Sequence, residues 1–281
     1  MHNNFVVDCK GYKLVLGKNI CVMGILNVTP DSFSDGGLFF NYKNAVKRAI
    51  EIEKEGAGIL DIGAESTRPG SVGVPTAEQI RRVIPVIKAL KKKISIPISI
   101  DTSDAVVALE AVKAGASIIN DITGLRKDKN IARVAAKYKT GLCIMHIKGT
   151  PNDMQQAPSY KNLMKEICAW LKEGMDIARH SGVKEKRIII DPGIGFGKTV
   201  KHNLQIIKNL SLLNNLGRPV LVGPSRKSFI GNILGLTVDQ RLIGTVSAAV
   251  LCRAAGASII RAHDVKKIKE ALIIADAILG A

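Results

Sequence analysis

Eight short apolar runs, each followed by a polar tip and then by a segment of helical periodicity, constrain this chain more than any other feature. They fall at about 20–26, 58–63, 96–101, 117–121, 141–146, 187–191, 218–223 and 257–262. Runs of this length, rich in Ile and Val, read as strands buried on both faces, as a parallel sheet requires. Between them lie segments such as Ala45 to Lys54, Ala77 to Lys92, Ala105 to Lys113 and Tyr160 to Ala178, with apolar residues at helical spacing. Strand–helix alternation with right-handed crossovers gives a parallel α/β architecture. Eight such units in 281 residues predict a closed (β/α)8 barrel, the TIM barrel, ahead of a doubly wound open sheet. A hairpin precedes it, Phe5 to Val7 against Tyr12 to Leu16 with Lys10-Gly11 at the turn. Residues 1–18 are therefore expected to cap a barrel of residues 19–281, with no linker dividing the chain into further domains.

Composition narrows the function classes. The chain is 46% hydrophobic but only 4% aromatic, which calls for an aliphatic interior. Its net charge of +17 is spread over predicted helix faces, and the longest run, Lys91-Lys92-Lys93, stands at a helix end, where cations complement the helix dipole. No basic strip interleaved with aromatics is present, so nucleic acid is not an expected partner. The five cysteines are odd in number, scattered and never spaced C-x-x-C, which implies a reducing compartment and no zinc site. No apolar stretch approaches membrane-spanning length and no leader pattern opens the chain. A cytoplasmic protein without a membrane partner is expected.

In a barrel of this kind, chemistry gathers where the strands end. Asn27 ends the first strand, and Asp61 lies in the second, which runs on into Glu65-Ser66-Thr67-Arg68-Pro69-Gly70. The next four end in Asp101-Thr102-Ser103, Asn120-Asp121, Met145-His146 and Asp191-Pro192-Gly193. The last two end in Gly223-Pro224-Ser225-Arg226-Lys227 and Arg261-Ala262-His263-Asp264. One Asp after a strand is ordinarily the N-cap of the next helix. Polar groups at every strand end predict one site built from all the loops.

Four constellations carry chemistry. Asn27, followed by Asp31, Ser32, Ser34 and Asp35, suits a hard cation such as Mg2+ that keeps most of its water, although the same residues also make ordinary turns. Asp101, Asn120 and Asp191 suit a flat, N–H-rich heterocycle, because a carboxylate accepts two parallel N–H bonds from an amidine-like edge. General acid–base work by the two carboxylates is the rival role. Lys227, Arg261 and His263, the last two projecting to one side of an extended strand end, suit a phosphate or diphosphate, with Arg68 completing the pocket. In Asp191 to Thr199, the Gly-Lys-Thr fails as a phosphate loop because position 192, where the first Gly is needed, is Pro. Its glycines instead admit close approach by a ligand at Gly195, with Phe196 stacking on it. His146 reads as a structural histidine and Met145 as pocket floor.

Taken in order, these motifs resemble dihydropteroate synthase over nearly the whole chain. They are Asn27 to Gly37, Asp61 to Gly70, Ser99 to Thr102, Ile119 to Asp121, Asp191 to Lys198, Ser225 to Ser228 and Arg261 to Val265. The resemblance implies condensation of 6-hydroxymethyl-7,8-dihydropterin diphosphate with 4-aminobenzoate, assisted by Mg2+ and releasing diphosphate. It implies that Asp101, Asn120 and Asp191 hold the pterin edge, that Lys227 reaches its ring oxygen and nitrogen, and that Met145, Gly195 and Phe196 line the slot. Asn27 is implied as the metal ligand, and Thr67, Arg68, Arg261 and His263 as diphosphate ligands. Asp35 is placed near the cation, Phe33 and Pro69 around the aminobenzoate, and Ser228 at its carboxylate. A homodimer through helices far from the substrate and a place among sulfonamide targets are implied as well. Lys148 departs from the family, which commonly has Arg there, and a Lys keeps the charge without the planar fork. A pterin-binding methyltransferase is the nearest rival, and it has no need of a diphosphate site. A catalytically silent pterin-binding paralogue is the second.

Overall fold

The computed structural model describes residues 4–28, 37–65 and 73–281. An N-terminal hairpin pairs β1 (Phe5–Cys9) with β2 (Tyr12–Leu16). The barrel strands follow as β3 (Cys21–Asn27), β4 (Ile59–Gly63), β5 (Ile98–Asp101), β6 (Ile118–Asp121), β7 (Gly141–Met145), β8 (Ile188–Asp191), β9 (Leu221–Val222) and β10 (Ile259–Ala262). The helices between and after them are α1 (Gly37–Lys54), α2 (Thr76–Leu90), α3 (Ala105–Ala114), α4 (Asn130–Tyr138) and α5 (Leu163–His180). They continue with α6 (Val200–Lys208), α7 (Ser228–Leu234), α8 (Leu242–Ala254) and α9 (Val265–Gly280).

Each barrel strand pairs in parallel with its neighbour in sequence, and β10 returns to β3 through Ile259↔Cys21 and Arg261↔Met23. The seam between β8 and β9 is thinnest. It is joined by the bridge Ile190↔Val220 and by the Ile190 N–H donating to the Pro219 carbonyl at 3.1 Å. All eight predicted strands are present, and the expected barrel is the fold.

Element ends differ from the sequence reading for local reasons. The first strand continues to Cys9 because Asp8 and Cys9 still find partners in Lys13 and Tyr12. α5 starts at Leu163, not Tyr160, because the Asn162 side chain accepts the Lys165 N–H at 3.1 Å and caps it there. α1 begins at Gly37 rather than Ala45.

The two-residue period of a strand builds the interior in layers. Met23, Ile59, Ile118, Cys143, Ile189, Leu221 and Ile259 form one apolar cluster, closed from below by Val7, Cys9 and Leu16 of the hairpin. A Cβ on Gly141 would lie 2.9 Å from Cys9 Sγ, so glycine permits this approach. Two residues further along, the inward positions become Asp61, Asn120, Met145, Asp191, Gly223 and Arg261. The plug below is dry and the layer above is polar, and that switch places the site.

Outside the barrel, aliphatic side chains of the strands pack against the helices in one continuous core. An ion pair with a buried arginine and a partly exposed aspartate holds the ends of the chain to it. Arg253 on α8 is 2% exposed and donates through Nε to Asp276 of α9 at 2.5 Å, and through a terminal nitrogen to the Gly17 and Lys18 carbonyls at 2.9 and 3.1 Å. All five cysteines are free thiols. Among the described residues no helix is long and apolar enough to cross a membrane.

Candidate active site

Two adjoining clefts open at the C-terminal ends of the strands. Asn120, Met145, Asp191 and Phe196 line the inner one. Asn27, Gly195, Ser228 and His263 line the outer one, whose volume is about 390 Å3. Asp101, Gly223, Lys227 and Arg261 line both. The expected residues that are described are thus brought together. Phe33, Asp35, Thr67, Arg68 and Pro69 lie outside the described residues.

The inner cleft is an ion network. Arg261 donates from Nε to Asp61 Oδ2 at 2.6 Å and from a terminal nitrogen to Asp101 Oδ2 at 2.7 Å. Asn120 donates to the same Asp61 oxygen at 3.2 Å. Burial raises the Asp101 carboxyl above the ordinary range and Arg261 opposes it, while Asp61 adds to the rise. Asp191 is raised to about 6 by burial, against the Gly193 N–H that its Oδ1 accepts at 2.7 Å. Lys227 is lowered to about 8 by burial and then by Arg261. The cleft therefore holds carboxylates and cations with reduced hydration, primed for a partner that satisfies both signs.

Its walls are set by backbone contacts that only glycine allows. Gly193 and Gly197 have φ of 70° and 67°, and a Cβ on them would lie 1.9 Å from the His146 carbonyl oxygen and 2.2 Å from that of Lys148. The loop after β8 thus lies directly on the loop after β7. Between them, the Gly195 N–H donates to Asn203 Oδ1 at 2.8 Å and its carbonyl accepts from Gln155 Nε2 at 2.7 Å. Lys227 lies across this loop, with Nζ 4.0 Å from the centroid of the Phe196 ring. The inner cleft retains about 20 Å3, on the order of one water.

Residues set aside in the sequence take structural places. Lys198 Nζ is buried, 2.9 Å from His146 Nδ1 and 2.8 Å from the Phe196 carbonyl oxygen, so it faces no phosphate. Burial and then Lys198 push His146 down to about 2, leaving a neutral ring packed edge-on to Trp170 at 5.3 Å. Lys148 sits 4.3 Å over the Tyr160 ring and lines neither cleft. Asp104 caps α3, and Asp121 accepts from the Thr123 and Leu125 N–H groups.

His263 meets the outer cleft as a neutral ring. Burial and then Arg261 push it down to about 3, so the ring is neutral at pH 7. Ser225 Oγ accepts the His263 backbone N–H at 3.2 Å and lies 3.0 Å from Nδ1. With the hydroxyl donating to Nδ1, Nε2 carries the ring hydrogen. His263 therefore offers a hydrogen bond to an anion, and Arg261 offers the charge.

Sequence reasoning missed the roles of Asp61, Ser225 and Gln155. For Asp61 a signal existed, since it occupies the position two residues beyond Ile59, as Asp191 does beyond Ile189. Gln155 carried none, because its reach to Gly195 spans a loop.

Comparison with known proteins places this arrangement. Residues 23–263 match the pterin binding enzyme family. The dihydropteroate synthase of Clostridium beijerinckii is 48% identical over 265 residues, 94% of this chain and 96% of that one. The Clostridium difficile dihydropteroate synthase, solved in the presence of pteroic acid, has a TM-score of 0.89 at 46% identity, over 94% of this chain and 98% of that one. The Xanthomonas albilineans dihydropteroate synthase with 4-aminobenzoic acid has a TM-score of 0.92 at 40% identity, over 99% of this chain and 100% of that one. This chain belongs to the dihydropteroate synthase family of pterin-binding enzymes.

Proposed function

We propose that the chain is a transferase of folate biosynthesis that condenses 6-hydroxymethyl-7,8-dihydropterin diphosphate with 4-aminobenzoate to give 7,8-dihydropteroate and diphosphate. The observation that carries this reading is that a cleft of carboxylates and an amide adjoins a cleft with cationic and hydrogen-bond-donating groups, the two sharing Lys227 and Arg261. A heterocycle joined to a diphosphate by one methylene spans such a pair. A methyltransferase domain has no use for the second cleft.

In this reading Asp101, Asn120 and Asp191 accept and donate along the pterin edge, Lys227 meets its ring oxygen and nitrogen, and Met145, Gly195 and Phe196 bound its faces. Arg261 and His263, with Thr67 and Arg68, hold the diphosphate. Substitution is dissociative: the exocyclic C–O bond breaks, its electron pair leaves with diphosphate, and the electron-rich ring spreads the positive charge. The neutral arylamine then forms the C–N bond from its lone pair and loses a proton to solvent or diphosphate. Bound Mg2+ supplies charge neutralisation at the leaving group. Asn27, a neutral oxygen donor at the mouth, fits a cation that keeps water and shares phosphate oxygens, and the family resemblance assigns Asp35 to the same cation. Ser228, the first residue of α7, lines the outer cleft and would receive the aminobenzoate carboxylate; Phe33 and Pro69 are assigned to its ring by the family resemblance alone. A sulfonamide presents the same aniline and should compete there.

A homodimer is part of the proposal. An apolar groove of about 750 Å3 runs between α6, α7 and α8, where Ile243, Leu251 and Ile233 are 75%, 60% and 54% exposed. Contiguous apolar surface of this kind favours a second copy. The free thiols support a cytoplasmic location. Calorimetric titration with the pterin diphosphate and Mg2+ tests the site assignment. One site per chain, weakened about 10²-fold in Asp191→Asn, is expected; binding that survives that substitution unchanged contradicts it.

A further inference from the structure

We infer that Asp61 is the positioning residue for Arg261, holding its Nε as a pivot while the terminal nitrogens pass from Asp101 to the diphosphate. The inference rests on the synthase reading above. Asp61 is fully buried on β4, with Oδ2 2.6 Å from Arg261 Nε and 3.2 Å from Asn120 Nδ2. Its Oδ1 has no hydrogen-bond partner among the described residues, so Arg261 is the counter-charge in contact with it.

The other end of the guanidinium engages Asp101 at 2.7 Å, the carboxylate that takes the pterin edge in this reading. A guanidinium and an amidine-like ring edge are both planar N–H donors, so they compete for that one carboxylate. When the ring takes Asp101, Arg261 must leave it. A largely buried guanidinium without an anion is costly, and Asp61 prevents that. Asp61 pairs with Ser99, two residues before Asp101, and lines neither cleft, which keeps it out of the ring's reach. Rotation about the Nε contact carries the terminal nitrogens toward the outer cleft, where Asn27 and His263 stand. The same carboxylate fixes Asn120 by its amide nitrogen, which presents the amide oxygen as the acceptor for the ring.

Asp61→Asn keeps the shape and removes the counter-charge. Inorganic diphosphate with Mg2+ is the discriminating probe. A residue acting through charge alone would, once neutralised, leave the anion bound equally or more tightly. Positioning predicts about 10-fold weaker diphosphate binding and about 10²-fold lower kcat. It also predicts that in an Arg261→Gln background the substitution at position 61 costs no further diphosphate affinity. Unchanged or tighter diphosphate binding, or additive losses of diphosphate affinity in the double variant, overturns the inference. A crystal structure of the unaltered protein with pterin and diphosphate tests it without any variant. Arg261 Nε should remain within about 3.2 Å of Asp61 while its terminal nitrogens are clear of Asp101; loss of the Asp61 contact overturns it. Dihydropteroate formation by the unaltered protein, measured in the same series, separates failure of this inference from failure of the synthase reading.

Discussion

Lys227 Nζ stands 4.0 Å from the centroid of the Phe196 ring, in a cation–π contact that spans the slot proposed for the pterin. The ring both shelters the ammonium and offers a face to a flat ligand. Phe196→Leu keeps the apolar volume and removes the face. The expected outcome is a rise of about 10-fold in KM for the pterin diphosphate, with kcat changed less and the melting temperature nearly unchanged. Steady-state kinetics beside a thermal melt checks it, and an unaffected KM would remove Phe196 from the slot.

Asp191 couples function against stability. Burial raises its carboxyl from 3.8 to about 6. The folded chain therefore binds that proton more tightly than the unfolded chain. The stabilisation is full below about 3.8 and is lost as pH rises through about 6. At pH 8 the buried charge costs about 1–3 kcal/mol. Asp191→Asn keeps the oxygen that accepts the Gly193 N–H, so it should be more stable than the parent at pH 8 while its pterin affinity falls by about 10²-fold. Thermal denaturation at pH 5 and pH 8 reads the difference. A loss of stability at pH 8 would contradict this account.

The pH dependence of kcat/KM follows from the same groups. Asp191 at about 6 must be ionised and Lys227 at about 8 must be protonated. The profile should rise through about pH 6 and fall through about pH 8, a bell that reports the free enzyme. Lys227→Arg, whose guanidinium stays charged, should lose the alkaline limb even if the plateau is lower. Persistence of that limb would assign it to another group.

Arg253 tests the fold apart from the site. It is buried against Asp276 and the carbonyls of Gly17 and Lys18, which ties the segment after the hairpin to α8 and α9. Arg253→Ala leaves the Asp276 carboxylate and those carbonyls without their donor. A loss of about 3–5 kcal/mol is expected, measured by chemical denaturation, with KM values of the surviving folded fraction unchanged.

Most of the barrel was legible because a parallel strand buried on both faces leaves an unmistakable run of Ile and Val. Most of the site was legible for a related reason, since each run ended in a polar group. What stayed hidden depends on distance through space. Nothing local shows that Arg261 reaches Asp61 past the intervening β3, or that burial beside Arg261 leaves His263 neutral. Charge states belong to the assembled cleft, whereas periodicity belongs to the chain. The Pro at position 192 did exclude a phosphate loop, and Lys198 is indeed buried against His146.

The most direct measurement is the stoichiometry of products from the purified protein given 6-hydroxymethyl-7,8-dihydropterin diphosphate and Mg2+, with and without 4-aminobenzoate. The account predicts one dihydropteroate for each diphosphate released when the amine is present. Pterin that binds without condensing, or no pterin binding at all, would contradict it.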